Sequence, residues 1–369
     1  MKKYDIAAYV WPAYTGDEPK TRIFWEEGYG EWQTVKNSKP KANGYNWGRK
    51  PLWGYVNEAD PYVMEMEIEA AVDHGVNVFI YDWYWYDNSP FLENCLNDGF
   101  LKAKNCNKMK FYIMWANHDV NYTWDIRNSK MIDRSILYKG AVTFEQFKIV
   151  GKRWIEQYFN KENYYTIDGK PVVSIYDLNN LVKGLGGLDK TKEAIGWLQE
   201  EAKKAGLKGV HLQFVRWNGK AQRLTGVDGE VMETTAEIVE DLGFDSLTHY
   251  QYCHFTDIRR DYNVIMEDVK KQWQEIEAEY NIPYYPHISL GWDNNPRFKE
   301  FIPYIMTENT PENIETALRE AKAFADKNNV NLITVNSWNE WTETSYLQPD
   351  NIYGYGYLQA VKKVFKEEQ

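Results

Sequence analysis

Asp73-His74-Gly75-Val76-Asn77-Val78-Phe79-Ile80-Tyr81-Asp82-Trp83-Tyr84-Trp85 reads as three parts of one unit: a helix end, an apolar run, and a polar and aromatic tail. Gly75 accepts the left-handed backbone that stops a helix. The β-branched and aromatic run from Val76 to Trp85 has the composition of a buried strand. The same junction recurs at Ala205-Gly206-Leu207-Lys208-Gly209 and at Lys327-Asn328-Asn329-Val330-Asn331.

Working outward, strand-like runs cover Tyr4 to Val10, Val76 to Trp85, Lys110 to Asn117, Pro171 to Asp177, Gly209 to Val215, Ser246 to Tyr252, Pro283 to Gly291 and Asn331 to Trp338. Amphipathic segments separate them: Pro61 to His74, Thr143 to Tyr158, Lys190 to Ala205, Thr234 to Leu242, Tyr262 to Tyr280 and Pro311 to Asn328. Alternation of this kind builds a parallel sheet. Eight strands predict closure into a (β/α)8 TIM barrel, one catalytic domain over residues 1–369. Two long rim segments, residues 12–60 and His118 to Val142, are expected over the C-terminal mouth, either serving the site or packing on one another.

A chain of 369 residues with a net charge of -11 does not suit a nucleic-acid backbone or an anionic membrane surface, since both repel it at long range. A neutral ligand fits better. Of the 16 Trp, 28 Tyr and 15 Phe the larger part is expected in the core, while Trp and Tyr also favour surfaces with one apolar and one wet side, as sugar rings present. Cys95, Cys106 and Cys253 form no CxxC pair and are read as reduced thiols. Neither a signal-peptide run at Met1-Lys2-Lys3-Tyr4-Asp5 nor a transmembrane stretch is visible, so a soluble, cytoplasmic protein is expected.

The expected strands end in chemistry. Asp82 and Trp83 follow the second, and Trp115, Asn117 and His118 the third. Asp177 closes the fourth, Arg216-Trp217-Asn218 the fifth, His249 and Tyr250 the sixth, Trp292 and Asp293 the seventh. Asp82, Asp177 and Asp293 equally suit helix capping. The eighth strand leads into Ser337-Trp338-Asn339-Glu340-Trp341-Thr342-Glu343. Extended chain would point Glu340 and Glu343 apart, while a tight turn brings both to the mouth. Paired carboxylates raise one another's pKa and supply the protonated and ionised partners of glycoside cleavage, although a helix cap or an ion pair is the alternative use. Trp338, Asn339, Trp341 and Tyr346 flank the pair, the aromatics either stacking on sugar or packing the rim. His118 and His249 stand as candidates for hydrogen-bonding a sugar hydroxyl or an acid. No histidine spacing suits a metal, and Gly184-Leu185-Gly186-Gly187 lacks the residues of a phosphate loop, so no metal and no cofactor are expected.

These residues resemble the WbsX-type family and, more distantly, the family ninety-nine endo-α-1,2-mannosidases and mannanases. The resemblance is carried by Glu31-Trp32, Arg49-Lys50-Pro51-Leu52-Trp53-Gly54-Tyr55, Trp115-Ala116-Asn117 and Gly291-Trp292-Asp293-Asn294-Asn295-Pro296-Arg297. It continues through Trp338 to Glu343, Tyr346-Leu347-Gln348-Pro349-Asp350 and Tyr353 to Leu358. The resemblance to the mannosidases implies a retaining mechanism through a 1,2-anhydro sugar, with Glu340 as base toward the 2-hydroxyl and Glu343 as acid/base. His118, Gln348 and Thr344 depart from residues common in the WbsX-type family. The expected partner is an oligo- or polysaccharide with an α-mannoside-like linkage. A glycosyltransferase and a non-catalytic glycan-binding barrel are the competing readings.

Overall fold

The computed structural model describes residues 3–125, 127, 135–217, 223–225 and 229–367; Asn218 and part of the second rim segment lie outside the described residues. Eight parallel strands form the barrel: β1 (Asp5–Val10), β2 (Val78–Tyr86), β3 (Lys110–Trp115), β4 (Lys170–Ile175), β5 (His211–Arg216), β6 (Ser246–His249), β7 (His287–Ser289) and β8 (Leu332–Asn336). Neighbours pair in chain order from β1 to β6, then β7 with β8 and β8 with β1. Between β6 and β7 there is a single parallel bridge, Leu247 to Tyr284, with Leu247 N–H donating to the Pro283 carbonyl at 3.0 Å and Tyr285 N–H to that of Leu247 at 2.9 Å. The barrel is therefore nearly closed, as the alternation predicts. Each expected run holds one strand, shorter where polar residues turn the chain out of the sheet, as at Gln251, whose side chain caps the turn at Tyr252.

Around the strands lie α1 (Pro61–Asp73), α2 (Phe144–Trp154), α3 (Leu178–Leu185), α4 (Leu188–Lys204), α5 (Ala236–Asp241), α6 (Tyr262–Glu279), α7 (Pro311–Lys327) and α8 (Gly356–Lys362). Asp60, Thr143, Asp177, Thr235 and Thr310 cap α1, α2, α3, α5 and α7, each side chain accepting an N–H of the first turn that has no partner within the helix. Gly75, at φ 94°, ends the segment of α1 as the sequence suggests. Among the described residues three α-helices go unread in the sequence: α3, α8 and a five-residue helix at Trp32–Lys36 within the rim insertion. α3 carries paired asparagines and a glycine, all weak helix formers, yet Gly184 is required there because a Cβ would stand 2.5 Å from the Val142 carbonyl.

Polar side chains fill the barrel floor. Gln213 Oε1 accepts from Ser174 at 2.6 Å and Tyr112 at 3.1 Å, and the Thr334 hydroxyl meets Thr248 at 2.8 Å and His287 Nδ1 at 2.9 Å. This interior is a packed, hydrogen-bonded layer rather than a pore, although Gln213 Nε2 has no partner among the described residues. No helix among the described residues is long and apolar enough to cross a membrane.

Candidate active site

A strand's pleat sends successive side chains to opposite faces. Along β2, Asp82 and Tyr84 point inward and line a cavity of about 410 Å³ at the mouth; Met114 of β3 and Ala116 beyond it do the same. Trp83 and Trp115 consequently face outward. Trp83 donates to Glu93 at 2.7 Å and meets Trp154 edge-on at 5.5 Å, and Trp115 packs on Trp154 at 5.4 Å. Both lie beneath α2 instead of against a ligand, which corrects their expected placement.

The turn after β8 behaves as its spacing suggests. A short bridge at Asn339–Glu340 leads into a 3-10 turn at Trp341–Glu343, and both glutamates line the cavity. What joins them is Arg297, a residue the site reading omitted. Its Nη2 donates to Glu340 Oε1 at 2.8 Å and its Nη1 to Glu343 Oε1 at 2.6 Å. Its Nε donates to Glu31 Oε1 at 2.9 Å, and Nη2 reaches Glu31 Oε2 at 3.3 Å. Glu31 comes from the rim insertion, where Gly30 at φ 65° lets the chain turn so tightly that a Cβ would stand 1.9 Å from the Ala13 carbonyl. Trp11 completes the cluster by donating to Glu31 Oε2 at 2.6 Å, and its ring lies 5.8 Å from the Arg297 guanidinium.

Three carboxylates thus share one guanidinium. Burial, then the charge of Glu343, pushes the Glu340 carboxyl well above the usual range, while Arg297 opposes that shift. Burial also raises Glu343, again against the pull of Arg297. Glu343 is the more open of the two, its side chain 14% exposed against 3% for Glu340. Asp82 is raised well above the ordinary carboxylate range by burial, opposed by the Tyr250 hydroxyl that donates to its Oδ2 at 3.0 Å, and its buried Oδ1 accepts no hydrogen bond among the described residues.

His118 also lines the cavity, with Nδ1 2.9 Å from the Asp119 carbonyl, and burial lowers its pKa. Tyr176, at the end of the fourth expected run, and Trp217, at the fifth strand end read from the sequence, add aromatic walls, together with Trp11 and Trp124, which the strand-end inventory passed over. Trp11 immediately follows β1, a strand end the inventory left without a candidate. Trp124 belongs to a loop turn with no periodic signal.

The remaining candidates do not border the cavity. Asn117 ties two strand ends together, donating to the Asp177 carbonyl and accepting from Asp177 N–H, both at 2.8 Å. Asp177 caps α3 through Asn180 N–H at 2.8 Å, and burial brings its pKa to about 6. His249 is enclosed by Phe255 and the Tyr284 hydroxyl, 2.9 Å from its Nδ1, and burial holds it neutral, well below the usual histidine range. Asp293 closes a turn on Asn295 Nδ2 at 2.7 Å and accepts from Tyr45 at 2.8 Å. The half-buried Trp292 packs on the hydrophobic core outside the cavity.

Trp338 points away from the mouth, donating to Glu67 at 2.7 Å with its ring 5.1 Å from Phe79. Asn339 clamps Trp11, accepting its N–H at 2.8 Å and donating to its carbonyl at 2.9 Å. Trp341 and Tyr346 stack at 3.9 Å behind the turn, and Tyr346 donates to Asp350 at 2.7 Å. For Asn117, Asp177, Asp293, Trp338, Asn339 and Tyr346 a hydrogen bond within the fold takes the polar group that the sequence offered to a ligand.

Two departures from the family pattern have local partners. Gln348 accepts from Trp341 Nε1 at 2.6 Å and donates to Glu58 at 3.0 Å, both buried, so an amide serves where a carboxylate offers no donor. Thr344 stands in the left-handed region at φ 60°, its hydroxyl donating to the Asp293 carbonyl and accepting from Trp47 Nε1, both at 2.8 Å. Among the described residues no group of three or more His, Cys, Asp or Glu side chains is arranged to hold a metal ion.

Comparison with known proteins follows the same contour. The family model described as glycosyltransferase WbsX matches residues 6–361. Uncharacterized protein WxcX of Xanthomonas campestris pv. campestris strain B100 is 23% identical over 356 residues, 94% of this chain and 47% of that protein, so the chain spans about half the length of the curated relatives it matches. In three dimensions the chain is similar to the GH99 endo-α-mannosidase from Bacteroides thetaiotaomicron, with a TM-score of 0.61 at 14% identity over 100% of this chain and 98% of that one. A glycoside hydrolase-like protein gives a TM-score of 0.59 at 15% identity over 99% and 95% of the two chains.

Proposed function

The chain belongs to the glycosyltransferase WbsX family, a carbohydrate-active family, and from that premise we propose that it is a retaining glycoside hydrolase acting on an α-mannoside-like linkage of an oligo- or polysaccharide. The observation that carries this reading is the pair Glu340 and Glu343, both on Arg297 and both lining an aromatic-walled cavity. Two carboxylates on neighbouring nitrogens of one guanidinium leave little room for the water that inverting enzymes admit between carboxyls roughly 6.5–9.5 Å apart.

Glu343, the more open carboxyl, protonates the leaving oxygen and then deprotonates the incoming water; burial shifts its pKa upward, the direction an acid needs. Glu340, deeper and closer to the barrel, takes the proton of the substrate 2-hydroxyl as that oxygen closes on the anomeric carbon to give a 1,2-anhydro sugar. Water then opens the anhydro ring at the anomeric carbon, Glu340 returning its proton to the 2-oxygen as that C–O bond breaks, and net retention follows from two displacements. The free oxygen of Asp82 suits a sugar hydroxyl donor, with Tyr250 holding the other oxygen. Trp11, Trp124 and Trp217 supply faces for the apolar side of the ring.

The family description favours transfer from a sugar nucleotide as the second reading. Arg297, the one arginine lining the cavity among the described residues, already serves three carboxylates and is poorly placed to bind a diphosphate. A glycan panel scored for released reducing ends is expected to give turnover, and proton NMR of the first product to give the retained anomer. A 2-deoxy substrate should fail. Rapid 2-deoxy turnover with retention would make Glu340 a nucleophile, first appearance of the inverted anomer would remove the anhydro-sugar route, and nucleotide release from sugar donors would favour the transferase.

A further inference from the structure

The mechanism above uses Glu340 and Glu343 but leaves a third buried carboxylate, Glu31, without a task. Glu31 is fully buried, and both of its oxygens are taken, Oε1 by Arg297 Nε and Oε2 by Trp11 Nε1 and Arg297 Nη2. It does not line the cavity and has no exposed surface to offer substrate, so its effect must pass through Arg297. A guanidinium facing only Glu340 and Glu343 would be free to pair with either and hold it ionised. Held at Nε by Glu31, it presents one nitrogen to each glutamate, and its charge is divided among three anions.

We propose that Glu31 is the positioning residue of this site: by fixing Arg297 with Nη2 on Glu340 and Nη1 on Glu343 and by offsetting its charge, it lets the pair hold one proton, on Glu343, for acid catalysis near neutral pH while Glu340 serves as base. The inference rests on the reading of Glu340 and Glu343 as the reacting pair. Other charged and titratable groups act on them as well. Asp82 and the hydroxyls of Tyr14, Tyr84 and Tyr250 lie close to Glu340, and Asp82, Tyr176, Tyr250 and Cys253 lie close to Glu343. None of these bonds Arg297, which leaves Glu31 as the group whose removal changes both the charge and the hold.

The test has a substrate-free arm and a kinetic arm. Carbon NMR of glutamate carboxyls, assigned with Glu340→Gln and Glu343→Gln, follows the titration of the pair. In Glu31→Gln the like charge is gone and Arg297 pulls harder, so both titrations should move down by at least about one pH unit. The alkaline limb of kcat/KM should move down with them, with kcat at the wild-type optimum reduced about tenfold. Arg297→Lys, which loses the three-way fork, should move the titrations up, the opposite sign. Glu31→Asp keeps the charge on a shorter arm and should restore the titrations toward wild type while kcat stays low. Unmoved titrations in a folded Glu31→Gln protein overturn the proposal. If Glu31→Gln does not fold, a Glu31→Asp protein whose titrations drop as the neutral variant's were expected to would overturn it. Failure of the functional reading shows separately, as wild-type turnover in Glu340→Gln and Glu343→Gln.

Discussion

Two buried carboxylate pairs sit on either side of the segment that follows β8, and they do opposite things. Glu340 and Glu343 share a guanidinium and face a cavity, whereas Glu58 and Glu67 are sealed among neutral donors. Glu58 accepts from Asn339 at 2.8 Å and Gln348 at 3.0 Å, and Glu67 accepts from Trp338 at 2.7 Å. Consecutive residues serve the two: Trp338 and Asn339 reach the sealed pair, and Glu340 belongs to the open one. Burial raises the pKa in both places. The difference is access: a raised carboxyl facing a cavity can hand its proton to a ligand, while one enclosed by amide and indole donors anchors the rim insertion to the barrel.

The largest effect expected is on the open pair. Glu340→Gln and Glu343→Gln should each cost at least about a hundredfold in turnover, measured by released reducing ends, with little change in the urea midpoint. Glu58→Ala should reverse that pattern: loss of stability of about 2–3 kcal/mol by urea unfolding, because the Asn339 and Gln348 donors lose their buried acceptor. If Glu58→Ala abolished turnover without moving the midpoint, the contrast between the pairs would collapse.

A smaller effect concerns pH. Glu67 titrates at about 7 in the folded protein against 4.5 ordinarily, because it is buried. The folded state then binds more protons than the unfolded one between those values, so this group's contribution to stability is present below about 4.5 and is lost as pH rises through about 7. Glu67→Gln should flatten the dependence of the urea midpoint across that window and gain most, relative to wild type, at pH values above it. A steeper slope in the variant would mean that Glu67 is ionised and paired rather than sealed and protonated. The smallest expected effect is that of a chelator: EDTA should leave turnover unchanged, and a loss restored by a divalent ion would give the open pair a different chemistry.

How much of this was legible in sequence follows from the kind of information each feature needs. The strands were readable because a buried parallel strand is a continuous apolar run, and the glycine and asparagine stops are local chemistry. The pairing of Glu340 with Glu343 was readable because only a turn brings a three-residue spacing together. Helix α3 escaped because its asparagines and its one glycine are chosen for packing and capping rather than for propensity.

What the sequence by itself determined, then, is the barrel and the acid pair at its mouth, since both rest on periodicity and short-range spacing. Only the tertiary structure decided which strand-end residues face inward, because a shift of one residue in the pleat separates Asp82 and Tyr84, which line the cavity, from Trp83 and Trp85, which support α2. It also decided that Glu31 and Arg297, 266 residues apart in the chain, meet at the glutamates. No local rule brings an insertion after the first strand onto a loop after the seventh; closure of the barrel does, by gathering every βα loop onto one face.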